Sequence, residues 1–155
     1  MTLPIFVINL DRRPDRLEHM AAQLDRLGLK WERVAAHDME RVDDALLSRE
    51  VALTDARIPM GRGSRCCALT NFDIFRRILH DALPAALILQ DDVELSPRIA
   101  PFVASSDWLP EGVDLVQFEK YGRRTSSRLT GPALGRMPAP GTSLHRLHSR
   151  TAGAA

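Results

Sequence analysis

Two adjacent carboxylates, Asp91 and Asp92, end an apolar run that begins at Ala86. A short apolar run that stops on charged residues is typical of a strand buried on both faces of a parallel sheet. Ligands of such sheets bind outside the carboxyl ends of the strands. Carboxylate oxygens at that edge can hold a hard divalent cation, which in turn neutralises a phosphate. The pair therefore indicates a site for a metal and a diphosphate.

Two other interpretations of residues 90–92, Gln90 included, stay open on the residues alone. Acids that follow a strand are also common as solvated turn residues. Phosphotransfer through an aspartyl intermediate uses acids at a strand end as well, although it needs further acid and lysine partners, which we do not find in the sequence.

A second polar group, Asn9 with Arg13 and Arg16, follows the first predicted strand. If the sheet is parallel, these side chains lie at the same edge as Asp91 and Asp92. Asn9 could then hydrogen-bond a base or ribose, and an arginine could pair with phosphate. For each arginine taken alone, a solvated helix face is the favoured interpretation. The convergence of the two groups is the main support for a site.

The elements that would position these residues have an α/β order. Residues 4–10 predict a strand, apolar residues at three-and-four spacing from Leu17 to Leu27 predict a helix that stops at Gly28, and residues 30–34 predict a second strand. Further along, the pattern predicts a short helix over 42–49, a flexible turn over 61–64, a helix over 66–79, and strands over 86–90 and 113–118.

Other residues with catalytic potential form no motif. His37, His80, His145 and His148 have no carboxylate at a close ligand spacing, and no Gly-x-Ser-x-Gly nucleophile motif is present. The two cysteines, Cys66 and Cys67, are neighbours that cannot easily bridge each other and lack the second pair of a zinc site. We expect ordinary thiols there.

The bulk properties are those of an ordinary globular protein. The chain has 155 residues, 45% hydrophobic and 26% charged, with a formal charge of +1, and nothing in this demands nucleic acid as a partner. Neither a membrane-spanning run nor a signal peptide is recognisable, which favours a cytoplasmic protein. Glu119 is the last acidic residue, so we predict a main domain over 1–120 and a basic, Pro/Gly-rich tail over 121–155 that is loop-like or disordered.

Three segments in order resemble glycosyltransferase family 25, which includes lipooligosaccharide galactosyltransferases of Gram-negative bacteria. They are residues 5–16 (IFVINLDRRPDR), 67–69 (CAL) and 83–93 (LPAALILQDDV). The resemblance implies a GT-A-like, Rossmann-type nucleotide-sugar-binding sheet with flanking helices. It further implies an inverting, metal-assisted transfer of a hexose, usually galactose, from a UDP-sugar to lipopolysaccharide or another surface glycan. The enzyme would act in the cytoplasm, with peripheral association at the inner membrane.

Carried over by position, Asn9, Arg13 and Arg16 match the family's opening motif and are expected near the nucleotide. Asp91 and Asp92 match the last two residues of the family's Glu-Asp-Asp. The resemblance implies that Asp92 binds a divalent cation, Mn²⁺ or Mg²⁺, and that Gln90 and Asp91 belong to the substrate site.

The sequence also departs from the family pattern. Gln90 stands where the family has Glu, and Ser64 and Asn71 replace the acid and the histidine of Gly-Glu-x-Gly-Cys-x-x-Ser-His. The chain also ends where family members continue, so the fold is expected to be incomplete, with no general base identified. The alternatives are therefore a catalytically inactive, truncated remnant with weak or no nucleotide binding, and a basic-tailed interaction module.

Overall fold

The structure is a computed structural model that describes residues 2–51 and 60–118, together with the backbone at 128–129 and 135–136. The chain forms two compact units, Met1–Ser106 and Asp107–Ala155. The first unit holds every residue predicted for the site. Among the described residues, no helix has both the length and the apolar character needed to cross a membrane.

The first unit is built on a three-stranded parallel sheet. Its strands are β1 (Ile5–Asn9), β2 (Glu32–Ala35) and β3 (Leu87–Gln90). They lie in the order β2-β1-β3, so β1 is central and is buried along its whole length. The connection after β1 runs to β2 on one side, and the connection after β2 runs back past β1 to β3 on the other side. Where two such connections leave in opposite directions, a crevice opens at the carboxyl ends of the strands, here between β1 and β3. The prediction of a parallel α/β sheet is confirmed.

Helices lie between the strands of this sheet and after β3. They are α1 (Pro14–Arg26), α2 (Asp44–Glu50), α3 (Arg62–His80) and α4 (Ala100–Ala104), the last preceded by a 3-10 turn at Pro97–Ile99. Helix α1 begins with proline, whose missing N–H costs nothing at that position. It stops before Gly28, which adopts φ +65°, while the Leu29 N–H donates to the Leu24 carbonyl at 3.0 Å.

Helix α3 starts earlier than the sequence predicts. The flexible turn expected over 61–64 is wrong, because Arg62 to Ser64 form the first helical turn. Tertiary contacts explain the difference. The Arg62 guanidinium donates to the carbonyls of Met39 and Val42 and pairs with Asp44. These bonds anchor a glycine-containing turn that has little helical preference of its own.

The two faces of the sheet carry different residues. Phe6 and Ile8 pack against Ile74 of α3, with Ile88 of β3 in the same cluster. Because side chains alternate along a strand, the face away from α3 carries the other positions of β1 and β3. Those positions are Ile5, Val7 and Asn9 in β1, and Leu87 and Leu89 in β3.

In the second unit, the predicted strand over 113–118 is wrong, since those residues are described without strand pairing. The ring of Phe118 instead meets that of Trp108 edge to face, with centroids 5.8 Å apart. A segment with alternating apolar residues forms a strand only where another strand is available to pair with it. Within the predicted tail, β4 (Arg128–Leu129) and β5 (Gly135–Arg136) form an antiparallel pair. The remainder of that tail lies outside the described residues.

Candidate functional site

The carboxyl edge of the sheet brings the two predicted polar groups together. The register pairs Ile8 with Gln90, so Asn9 and Asp91, one residue further along, emerge side by side. The Asn9 amide donates to an Asp91 carboxylate oxygen at 2.7 Å, across 82 residues of sequence. The sequence-based expectation that these residues share one edge is therefore met.

Asn9 holds this edge in place from inside the protein. It is 1% exposed, and its second N–H donates to the Arg13 carbonyl at 2.9 Å. Its amide oxygen accepts from Arg33 Nε at 3.1 Å. Both N–H groups are used internally, so Asn9 orients Asp91. A direct contact of Asn9 with a nucleotide stays a prediction.

Arg16 bridges the two carboxylates. Its Nη1 lies 3.2 Å from an Asp91 oxygen and 3.3 Å from an Asp92 oxygen. Asp91 is 8% exposed, whereas the Asp92 side chain is 53% exposed. One guanidinium therefore faces two carboxylates, and the three groups together carry a net negative charge. Such a cluster attracts cations, and Asp92 is its accessible member.

Arg13 is not brought into this cluster by a direct contact. Its guanidinium makes two hydrogen bonds to Asp15, at 2.9 and 2.7 Å. These bonds raise the pKa of Arg13 and lower the pKa of Asp15 to about 2. The pair is exposed at the start of α1, beside the carboxyl edge.

Gln90 lies on the other face of β3, because strand side chains alternate. Its amide approaches the Cys67 thiol of α3, with Nε2 to Sγ at 3.9 Å. Cys67 is exposed, while Cys66 is buried, which raises the pKa of the Cys66 thiol. Position 90 and Asp91 therefore point to opposite sides of the sheet edge.

Sequence reasoning missed two features of this edge. Arg33 of β2 contacts both Asn9 and Asp11, and only the strand register reveals this. His37 pairs with Asp73 of α3, Nε2 to Oδ2 at 2.7 Å, a partner that no close spacing in the sequence indicates. The two residues are 36 positions apart, beyond any local ligand spacing.

A pocket of about 210 Å³ opens beside β2 at the same edge. Its walls are Asp11, Ala36, His37, Asp38, Arg41 and Val42. Asp38 accepts from the Glu40 backbone N–H at 3.0 Å and from Arg12 at 2.9 Å. Both bonds favour the carboxylate and lower the pKa of Asp38. The pocket is therefore polar and carries charges of both signs.

Comparison with known proteins decides the family. The family model described as glycosyltransferase family 25 (LPS biosynthesis protein) matches residues 2–121. The chain belongs to glycosyltransferase family 25. This match contains the whole sheet and both polar groups of its carboxyl edge, and it confirms the family predicted from the sequence.

Curated relatives of this family 25 chain carry the same family name. A glycosyltransferase 25 family member of Drosophila melanogaster is 31% identical over 100 residues, which cover 60% of this chain and 16% of the relative. Another, of Aedes aegypti, is 30% identical over 108 residues, 64% of this chain and 18% of the relative. The chain thus spans under a fifth of the length of these relatives.

Proposed function

We propose that this family 25 chain binds a UDP-sugar at the carboxyl edge of its sheet and transfers the hexose, galactose by resemblance, to a lipopolysaccharide or other surface glycan with inversion. The sheet would be the donor-binding part of a GT-A-like fold. The observation that carries this proposal is the cluster of Arg16 with Asp91 and Asp92 at the crevice between β1 and β3. Family membership supports glycosyltransferase activity.

Arg16 is the member of the cluster that can bind a diphosphate directly. A diphosphate is a multiply charged anion, and a guanidinium binds phosphate oxygens through charge-assisted hydrogen bonds. Arg16 is partly exposed and already anchored at the edge, so it can turn from the carboxylates to the ligand. During transfer, the Arg16 guanidinium would stabilise the diphosphate as it leaves with the electron pair of the broken bond.

The carboxylates of this cluster can hold a divalent cation only together with substrate phosphates and water. Within the described residues, no group of three acidic, histidine or cysteine side chains could hold a metal. Mg²⁺ is nevertheless commonly bound by one or two carboxylates, with substrate phosphates and water completing its shell. Asp92, with Asp91 behind it, can supply those carboxylates. When bound, the cation would neutralise charge on the leaving diphosphate.

Calorimetric titration of the chain with UDP and with UDP-galactose, with and without Mn²⁺, tests the proposal. We expect Mn²⁺ to strengthen binding, and Asp92→Ala to abolish this gain. Asp81→Ala is the matched control, because it removes an exposed carboxylate beyond the C-terminal end of α3, where it pairs with Arg77 and His80. The proposal would be refuted if the parent chain did not bind UDP, or if Mn²⁺ still strengthened UDP binding in Asp92→Ala.

A second candidate is a chain that binds nucleotide weakly and does not turn over. One observation favours it. Gln90 presents an amide to Cys67 where a family carboxylate is expected, which leaves this edge with one negative charge less. UDP binding without release of UDP from UDP-galactose would select this candidate. Association with the inner membrane and the identity of the acceptor stay predictions.

A further inference from the structure

A histidine–aspartate pair stands at the same edge of the sheet, outside the carboxylate cluster. His37 follows β2 by two residues, and its Nε2 lies 2.7 Å from Asp73 Oδ2. The backbone N–H of His37 also donates to Thr70 Oγ1 at 3.0 Å. Two separate bonds thus attach the segment after β2 to α3. One holds the backbone and the other holds the imidazole ring.

The bond to Asp73 selects the state of the ring. A carboxylate accepts the Nε2–H, so the neutral imidazole keeps its lone pair on Nδ1. Within residues 2–51 and 60–118, the structure gives no hydrogen-bond partner to Nδ1. The side chain is 30% exposed and lines the 210 Å³ pocket. Asp73 thus fixes the orientation of the ring through Nε2, and Nδ1 can accept a proton from a ligand in the pocket.

Charges of both signs surround the ring. Asp11, Asp38 and Arg41 line the same pocket, while Arg76 pairs with Asp73, Arg12 with Asp38 and Arg33 with Asp11. Each of the three carboxylates thus has an arginine partner. Of the described side chains that line this pocket, His37 is the proton acceptor that no arginine pairs with.

We propose that His37 is the general base of this chain, with Asp73 as the residue that positions its ring. The inference rests on the proposed function. In the transfer step, Nδ1 takes the proton of the attacking hydroxyl, whose oxygen forms a bond to the anomeric carbon. The bond from that carbon to the diphosphate oxygen breaks, and its electron pair leaves with UDP.

The dimensions of the sheet agree with this role. Strands β2 and β3 flank β1, so their carboxyl ends are about 9.5 Å apart, which is two strand spacings. An attacking oxygen sits about 3 Å from the carbon it attacks, and a base about 3 Å from the hydroxyl it deprotonates. Two covalent bonds then join the anomeric carbon to phosphorus. The strand ends are thus separated by about the length that a base, a hydroxyl, an anomeric carbon and a phosphorus atom span in line.

The alternative is a purely structural pair that ties the loop to α3. Matched variants separate the two roles. Thr70→Val removes the backbone tie and leaves the ring, whereas His37→Ala removes the ring and leaves the tie. His80→Gln breaks another exposed histidine–aspartate pair, with Asp81, at the far end of α3.

The assay measures release of UDP from UDP-galactose with water as the acceptor, from about pH 5 to 9, together with UDP affinity by calorimetry. We expect His37→Ala to lower the rate about 10²- to 10⁴-fold, with UDP affinity changed less than about twofold. The parent rate should fall about tenfold per pH unit on the acid side, where the base is protonated, and this fall should disappear in His37→Ala. Added imidazole should restore part of the rate in His37→Ala alone.

Asp73→Asn should lower the rate at least about tenfold and leave UDP affinity unchanged, because an amide can accept or donate and so no longer fixes which ring nitrogen carries the proton. A His37→Ala rate above a tenth of the parent rate, parallel loss of rate and UDP affinity, or failure of imidazole would overturn the assignment. A parent chain that binds UDP but releases none from UDP-galactose would overturn the base and leave the donor site standing. A parent chain that does not bind UDP would overturn the proposed function as well.

Discussion

Asn9→Ala is the substitution that most directly tests the architecture of the candidate site. The Asn9 side chain is buried and makes three hydrogen bonds, which join β1 to Asp91, to the Arg13 carbonyl and to Arg33. Alanine removes all three and leaves a small cavity. The same bonds fix the position of Asp91 for any ligand, so stability and binding should change together.

The three bonds differ in what their loss costs. Hydrogen bonds to charged groups contribute about 1.5–3 kcal/mol each, and a buried group left without a partner costs a similar amount. Asp91 keeps Arg16 as a partner, and the Arg33 side chain is partly exposed, so water replaces part of what is lost. We therefore expect Asn9→Ala to reduce the free energy of unfolding by about 3 kcal/mol.

Urea unfolding at neutral pH measures this change. With a denaturant slope of about 2 kcal/mol per M, the midpoint should fall by about 1.5 M. Asn71→Ala is the matched control, since among the described residues the Asn71 amide bonds only to Cys67 of its own helix, near the surface. We expect a loss of about 0.5 kcal/mol or less for that control.

A double-mutant cycle identifies the source of the loss. In an Asp91→Ala background, Asn9→Ala should cost about 1–2 kcal/mol less than in the parent chain, because one of its bonds is already gone. Full additivity of the two substitutions, or a loss for Asn9→Ala no larger than that for Asn71→Ala, would refute the bridging role of Asn9.

Three further predictions follow from local geometry. Gly28→Ala should destabilise by about 1 kcal/mol in thermal unfolding because φ is positive there, whereas Gly61→Ala, with negative φ and open space around it, should be nearly neutral. Arg77 lowers the pKa of Glu32, so this pair stabilises the fold above the ordinary pKa of Glu32 and loses its effect as pH falls below it. Since the pair is exposed, Glu32→Gln should lower the free energy of unfolding by only about 0.5 kcal/mol at pH 7 and by almost nothing at about pH 3. Urea unfolding at both pH values measures this difference. Gln90→Glu should tighten Mn²⁺-dependent UDP binding in calorimetry; unchanged affinity would show that position 90 lies outside the cation's shell.

Much of the fold could be predicted because its signals are local. The apolar run of β1, the three-and-four spacing of α1 and the stop at Gly28 each depend on a few neighbouring residues. Element bounds shifted where distant contacts intervene. Arg62 extends α3 by binding the loop before α2, and the alternation over 113–118 produced no strand.

The sequence by itself determined the family and the two polar groups, because glycosyltransferase family 25 motifs and strand ends are properties of short segments. The tertiary structure decided how those groups meet. Parallel register put Asn9 against Asp91, and strand alternation turned Gln90 to the other face. The pairing of His37 with Asp73 arises only because β2 and α3 pack together. Contacts between segments far apart in the chain depend on register and packing, which no local spacing encodes.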